Sequence, residues 1–150
     1  KVQAVAAPFR HSAWEDISAR STDLTRFKAR HGRLMVPHGE SDPVFSLADT
    51  LDWFDQLNRR EHGRAGEFAR VFPVPGMCHC SGGPATTQFD SLAAMVDWVE
   101  HGRAPDRLEA SAGPDTPWPG RTRPLCPYPQ VARYRGNGDP EKAENFACAP

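Results

Sequence analysis

The sequence has no apolar run long enough to span a bilayer. Its charges nearly cancel, with 18 Lys and Arg against 19 Asp and Glu and a formal net charge of -1. We therefore expect no nucleic-acid partner and no membrane partner. Internal repeats and low-complexity tracts are also absent, which excludes repeat architectures. At 150 residues the chain is long enough for one modest domain with a buried core. Because it begins at Lys1 rather than Met, we expect a mature or truncated piece of a longer protein.

A second C-x-x-C motif or a pair of histidines, which would complete a metal site, is lacking as well. The stretch Cys78, His79, Cys80 offers metal-binding side chains, but ligands at adjacent positions point in different directions and do not form a tetrahedron. We therefore expect no metal site. The other two cysteines are Cys126 and Cys148, and four cysteines are compatible with an oxidising compartment without establishing one.

What the sequence does have is a dense Gly and Pro loop, VPGMCHCSGGP, at residues 74–84. Glycine and proline at this density fix a tight, irregular backbone. A rigid loop can aim a single imidazole, so we interpret His79 as a candidate catalytic base. The alternative is a loop histidine that merely donates to a carbonyl.

The hydrophobic pattern predicts the order helix, strand, helix, strand, helix. The apolar runs at 33–37 and 68–74 are typical of strands buried on both faces, as in a parallel sheet. The three helices are expected to begin at capping residues and to end at glycine, at 23–32, 46–63 and 87–102. The last helix is expected to turn these residues inward: Phe89, Leu92, Val96 and Val99. This order predicts an α/β fold of parallel strands with right-handed crossover helices.

The chain divides into three parts on this interpretation. Residues 1–22 are a connecting segment, and residues 23–104 form the α/β layers. From residue 105 to residue 150 the chain is rich in Pro and Gly, and we expect a coil wrapped on the domain surface.

The predicted topology brings an acid and a base together. The carboxyl ends of parallel strands share one edge of the sheet, and Asp42 and His79 each follow a predicted strand. A buried Asp that accepts from one ring nitrogen leaves the other nitrogen basic, which gives two members of a nucleophilic triad. No G-x-S-x-G elbow is present, so we expect the nucleophile upstream of Lys1. Phe45 either contacts an aromatic acyl group at the mouth of this site or packs under the turn.

Three segments carry a family resemblance: the loop at 74–84, the turn HGESDP at 38–43, and the tail segment RTRPLCPYPQVARYRGNGD at 121–139. Together they resemble the tannase and feruloyl esterase family of secreted serine esterases, over residues 23–148. Residues 81–90 look closest to its terephthalate monoester hydrolase branch. The resemblance implies the C-terminal part of an α/β-hydrolase fold, followed by a Pro-rich tail with a disulfide.

The resemblance also implies roles for five residues. Asp42 matches the triad acid of the family, and His79 matches its base. Cys80 matches a cysteine that is bonded to the residue before the nucleophilic serine, a partner expected upstream. Cys126 and Cys148 match a disulfide pair near the C-terminus, whose loop of about twenty residues is worth roughly 3 kcal/mol.

Other parts of the family's machinery are not in this sequence. The serine, the oxyanion hole and the lid with its structural calcium site are expected elsewhere in the enzyme, and no cofactor is expected in this chain. Cys78 stands where the family has no cysteine, and a bridge between Cys78 and Cys80 would be strained.

The sequence therefore predicts a serine-type carboxylic ester hydrolase for esters of aromatic acids, secreted or periplasmic. Its partners would be a small aromatic ester and the upstream remainder of the same enzyme. The alternative is a non-catalytic, cysteine-stapled binding or scaffold module in which Asp42 and His79 only pair.

Overall fold

The structure, a computed structural model, describes residues 17–150. Residues 1–16 of the expected connecting segment lie outside this range. The helices are α1 (Thr25–Ala29), α2 (Leu47–Arg60) and α3 (Ser91–His101). The strands are β1 (Leu34–Gly39), β2 (Ala69–Val74), β3 (Leu108–Ser111), β4 (Thr122–Leu125), β5 (Val131–Tyr134) and β6 (Phe146–Ala149). Short 3-10 helices lie at Ala65–Glu67 and Ala143–Asn145.

The first two strands form the parallel pair that the sequence predicts. Strand β1 pairs with β2 in a register that runs from Leu34 opposite Ala69 to Gly39 opposite Val74, and α2 is the crossover. Both strands thus end at the same level. The turn after β1 and the glycine loop after β2 therefore leave the sheet side by side, and this arrangement positions the candidate site.

Helix α2 begins and packs as its sequence indicates. The Ser46 hydroxyl accepts a hydrogen bond from the Ala48 amide, which satisfies one of the free donors at the helix start. Phe54 and Leu57 are buried, and they join a core cluster with Phe68, Val71 and their neighbours. The second cluster lies on β2 and the tail strands, and it includes Phe72, Val74, Met77 and Leu125.

Helix α3 differs from the prediction at its start and on its faces. Its N-cap is Asp90, whose carboxylate accepts from the Ala93 amide, rather than Thr87. The predicted inner face is wrong, because Leu92, Val96 and Val99 are 73%, 41% and 60% exposed. Trp98 is buried instead. Its ring lies under the guanidinium groups of Arg33 and Arg70, at 6.0 and 5.7 Å from the ring centroid.

The reason for this difference is that α3 is apolar on more than one side. An apolar helix pattern gives the period of a buried stripe but not which of two apolar stripes meets the sheet. Here the large indole of Trp98 faces β2, and the smaller aliphatic side chains face away. Phe89, the remaining member of the predicted face, precedes the helix and packs on the core.

The tail is not only coil. Strand β3 pairs antiparallel with β4, and β5 pairs antiparallel with β6. Each strand has four residues, too few for an alternating pattern to stand out among prolines. The expected disulfide is present: Cys126, just after β4, is bonded to Cys148 in β6. The tail also contacts the α/β layers through Tyr128. Its amide donates to the carbonyl of Val71 in β2 at 2.8 Å, and its hydroxyl lies 3.2 Å from a carboxylate oxygen of Asp55 in α2.

Among residues 17–150, no helix has the length and apolar character needed to cross a membrane.

Candidate active site

Asp42 is fixed by the turn that follows β1. Its Oδ1 accepts hydrogen bonds from the amides of Val44 at 2.8 Å and Phe45 at 3.0 Å. Such a turn, in which an Asp side chain caps the next amides, is typical of this residue before a proline. The side chain is only 5% exposed. One carboxylate oxygen is thus held by the backbone, and Oδ2 is left to face other side chains.

The glycine loop shapes the backbone around His79. Gly76, Gly82 and Gly83 have positive φ values of 74°, 74° and 81°, a conformation that glycine adopts without steric cost. A Cβ at Gly83 would overlap the Gly76 carbonyl oxygen. The two arms of the loop therefore approach more closely than any side chain would permit, and the loop folds back on itself.

The two loops are also joined to each other through their backbones. The Ser41 amide donates to the Met77 carbonyl at 3.0 Å. Gly39 lies against the Met77 and Cys78 carbonyl oxygens, with no room for a Cβ. The turn that carries Asp42 (the acid turn) and the loop that carries His79 (the histidine loop) consequently form one backbone unit at the carboxyl edge of the parallel pair.

Asp42 and His79 form a direct hydrogen bond across this unit. His79 Nδ1 lies 2.8 Å from Asp42 Oδ2. An ionised carboxylate can only accept, so Nδ1 carries the proton and donates it, which leaves Nε2 as the basic nitrogen of the neutral ring. The His79 side chain is 45% exposed while Asp42 is nearly covered. An anchored acid behind an accessible base is an arrangement that can support acid–base chemistry, and we refer to the two residues as the dyad.

Electrostatics keep Asp42 ionised. Burial acts to raise the pKa of the carboxyl, but the hydrogen bond from His79, the amides of Phe45 and Val44, and the charge of a His79 imidazolium oppose it, and together they lower the pKa from 3.8 to about 2. Asp42 is thus a carboxylate at every pH at which an imidazole base would operate.

A cleft of about 730 Å³ opens over this dyad. The residues that line it include His38, Asp42, Phe45, Trp53, Met77 and His79. Phe45 is exposed, and its ring centroid lies 5.4 Å from that of His79 at an interplanar angle of 52°. Phe45 thus lines the cleft with an exposed ring, and its contact with a substrate stays a prediction.

His38 is a site residue to which the sequence motifs gave no role. Its side chain is only 12% exposed, and its Nε2 lies 3.6 Å from Asp42 Oδ2. The sequence held one signal for it, because a histidine four residues before the acid, at the end of a strand, lies at the same edge of the sheet.

Cys78 and Cys80 are both free thiols, so the strained bridge between them is not formed. Cys80 is exposed and has φ of 62°, a left-handed conformation that is uncommon outside glycine. Its disulfide to an upstream cysteine stays a prediction. Within the described part of the chain, no three His, Cys, Asp or Glu side chains are grouped closely enough to hold a metal ion.

A hydrogen-bonded acid and base at adjoining ends of parallel strands define an α/β-hydrolase type of site. The family model described as "Tannase and feruloyl esterase" matches residues 10–149, and the chain belongs to this family. It is 50% identical over 153 residues to the mono(2-hydroxyethyl) terephthalate hydrolase of Piscinibacter sakaiensis, covering 99% of this chain and 25% of that protein.

Solved structures agree with this assignment. An esterase from Aspergillus oryzae superposes with a TM-score of 0.80 at 25% identity, over 97% of this chain and 32% of that one. Feruloyl esterase B from Aspergillus oryzae superposes with a TM-score of 0.78 at 27% identity, over 99% of this chain and 33% of that one. The chain thus spans about a quarter to a third of the length of these relatives, which are named as hydrolases and esterases.

Proposed function

We propose that this chain supplies the acid and the base of a serine-type carboxylic ester hydrolase that acts on esters of aromatic acids. The observation that carries the proposal is the 2.8 Å hydrogen bond between His79 Nδ1 and Asp42 Oδ2, in a cleft beside the accessible ring of Phe45. Membership of an esterase family supports the reaction class, and the upstream remainder of the same enzyme contributes the nucleophile.

The geometry translates into a sequence of proton transfers. His79 Nε2 removes the proton from the serine hydroxyl while the serine oxygen bonds to the ester carbonyl carbon. The imidazolium then gives that proton to the oxygen of the leaving alcohol as its bond to the acyl carbon breaks. In the second half His79 takes a proton from water, the resulting hydroxide attacks the acyl-serine, and the proton returns to the serine.

Asp42 contributes without changing its own protonation. Its carboxylate holds His79 in the tautomer with the proton on Nδ1, and it stabilises the imidazolium that forms in each half-reaction. Backbone donors elsewhere in the enzyme would hold the oxyanion. The mechanism draws on no cofactor from this chain, and calcium in the lid of the family would have a structural role only.

The proposed substrate class rests on two observations. Phe45 presents an exposed ring within contact distance of His79, and an aromatic acyl group can pack against such a ring edge to face. The relatives are named for terephthalate and feruloyl esters, whose acyl groups are aromatic. We also propose a secreted or periplasmic location, where the Cys126–Cys148 disulfide would persist.

The test uses the intact enzyme with the variants Asp42→Asn and His79→Gln, and 4-nitrophenyl benzoate, a feruloyl ester and a terephthalate monoester as substrates. We expect kcat to fall about 10³- to 10⁴-fold in either variant, with KM and the thermal midpoint little changed. Asp97→Asn and His101→Gln are matched controls, because these residues form an exposed Asp–His pair on α3, with 3.0 Å between the bonded atoms.

Near-normal turnover in either dyad variant would refute the assignment. A wild-type enzyme that hydrolyses none of the three esters and does not react with a serine-directed fluorophosphonate would favour the non-catalytic scaffold instead.

A further inference from the structure

His38 lies at the centre of the hydrogen bonds that shape the acid turn. It is in β1, immediately before Gly39, and its ring lines the cleft and contacts Thr50 of helix α2 and Phe45 in the turn after β1. The ring is nearly covered, so each of its nitrogens needs a partner inside the protein. Both nitrogens have one.

The partners fix the direction of each bond. Nε2 lies 3.1 Å from the Phe45 carbonyl oxygen, and a carbonyl only accepts, so Nε2 carries a proton and donates it. Nδ1 lies 2.9 Å from the Thr50 hydroxyl, which donates to it when the ring is neutral. The ring therefore spans from helix α2 to the far end of the acid turn.

The Phe45 peptide links this ring to the acid. Its carbonyl accepts from His38, and its amide donates to Asp42 Oδ1 at 3.0 Å. The same Nε2 of His38 lies 3.6 Å from Asp42 Oδ2, the oxygen that accepts the hydrogen bond from His79. Oδ1 is thus held by a peptide group that His38 anchors, and Oδ2 faces His38 itself.

We propose that His38 is a positioning residue for the acid: by holding the Phe45 carbonyl and facing Oδ2, its Nε2–H sets the plane of the Asp42 carboxylate so that Oδ2 points at His79 Nδ1. This inference rests on the proposed function for its effect on rate. His38 itself does not touch the reacting atoms. Its action runs entirely through Asp42.

Two substitutions of His38 test the roles of its two ring nitrogens separately. Glutamine places an amide N–H close to the position of Nε2 and so keeps the donor to the Phe45 carbonyl. Asparagine reaches only the position of Nδ1, and it keeps the contact with Thr50 while losing the donor. In the intact enzyme we expect His38→Asn to lower kcat about 10- to 100-fold, the cost of an ångström-scale misplacement. His38→Gln should stay within about three-fold of wild type, and the change in KM should be smaller than that in kcat in both variants.

A second measurement reports the geometry without any substrate. In enzyme carrying ¹⁵N-labelled histidine, the ring signals of His79, assigned by their loss in His79→Gln, give the fraction of the tautomer with the proton on Nδ1. We expect that fraction to be near complete in wild type and in His38→Gln, and clearly reduced in His38→Asn. His101→Asn is the matched control, and it should leave the His79 signals unchanged.

The outcomes distinguish this inference from the proposed function. If the tautomer shifts as expected but wild type hydrolyses no ester, the positioning role stands and the esterase proposal fails. If wild type is active and His38→Asn keeps both its kcat and the His79 tautomer, the inference is overturned. Should His38→Asn fail to fold, a folded His38→Gln that loses more than ten-fold in kcat overturns it equally.

Discussion

The disulfide between Cys126 and Cys148 offers a sharp test of how the tail is stabilised. Cys126 is buried at the end of β4, and Cys148 lies in β6 opposite Ala132 of β5. Every residue of β5 is exposed, so the apolar burial of the β5–β6 pair comes from β6, where Phe146 is the buried residue. We expect the covalent link to β4 to supply much of the free energy that keeps this pair closed.

The magnitude follows from the length of the loop. The two cysteines are 22 residues apart, and the loop-entropy relation gives about 3 kcal/mol at 25 °C for a loop of that length. The double variant Cys126→Ala and Cys148→Ala should lower the free energy of local opening by that amount. Since each 1.4 kcal/mol is a factor of ten, backbone amides of β5 and β6 should exchange with solvent roughly 100-fold faster.

Hydrogen exchange followed by mass spectrometry measures this directly in the intact protein. Cys78→Ala, which removes a partly buried free thiol, is the matched control and should leave exchange in β5 and β6 unchanged. If the double variant exchanges in β5 and β6 at the wild-type rate under non-reducing conditions, the tail is held by its packing and the reasoning is wrong.

Three further predictions concern the dyad, the loop junction and the core. Because the pKa of Asp42 falls from 3.8 to about 2 on folding, its ionised form contributes stability that is fully present above about pH 4 and lost as the pH falls through 2. The difference in unfolding free energy between wild type and Asp42→Asn should therefore shrink between pH 5 and pH 2 in denaturant titrations, and a difference independent of pH would contradict this. Gly39→Ala should separate the acid turn from the histidine loop, because its Cβ meets the Met77 and Cys78 carbonyls, and kcat should fall by about 100-fold. Gly66→Ala, with open space at the Cβ, is its control and should keep wild-type kcat; equal rates in both variants would show that the junction tolerates a side chain. Leu57→Ala, at a fully buried position of α2, should cost about 2 to 5 kcal/mol in chemical denaturation, and a loss below 1 kcal/mol would mean that the site collapses around the smaller side chain.

Much of the α/β part is encoded locally. Ser46 caps α2 because its hydroxyl reaches a nearby amide. The apolar runs at 34–36 and 69–74 form the parallel pair that their composition predicts, and of the two strands β2 is largely buried while β1 is half-buried. The positions of Asp42 and His79 follow from that topology, since the turn and the loop that carry them leave the same edge. Their hydrogen bond is a geometric fact, and their catalytic role stays a prediction.

Contacts between distant segments decided the remainder. The inward face of α3 depended on which apolar stripe met β2, and Trp98 lies there against the guanidinium groups of Arg33 and Arg70, which the local pattern does not reveal. The strand end puts His38 at the edge of the sheet, but its hydrogen bonds to Thr50 and Phe45 come from residues that fold back around it.

The sequence by itself therefore determined the order of elements, the cap of α2 and the convergence of acid and base, because each depends on residues close along the chain or on the fixed direction of parallel strands. Only the tertiary structure decided the exposed face of α3, the short strands of the tail and the hydrogen bonds that hold His38 beside Asp42. These features depend on contacts between segments that are distant in the sequence, and such contacts leave no periodic signal in any single segment.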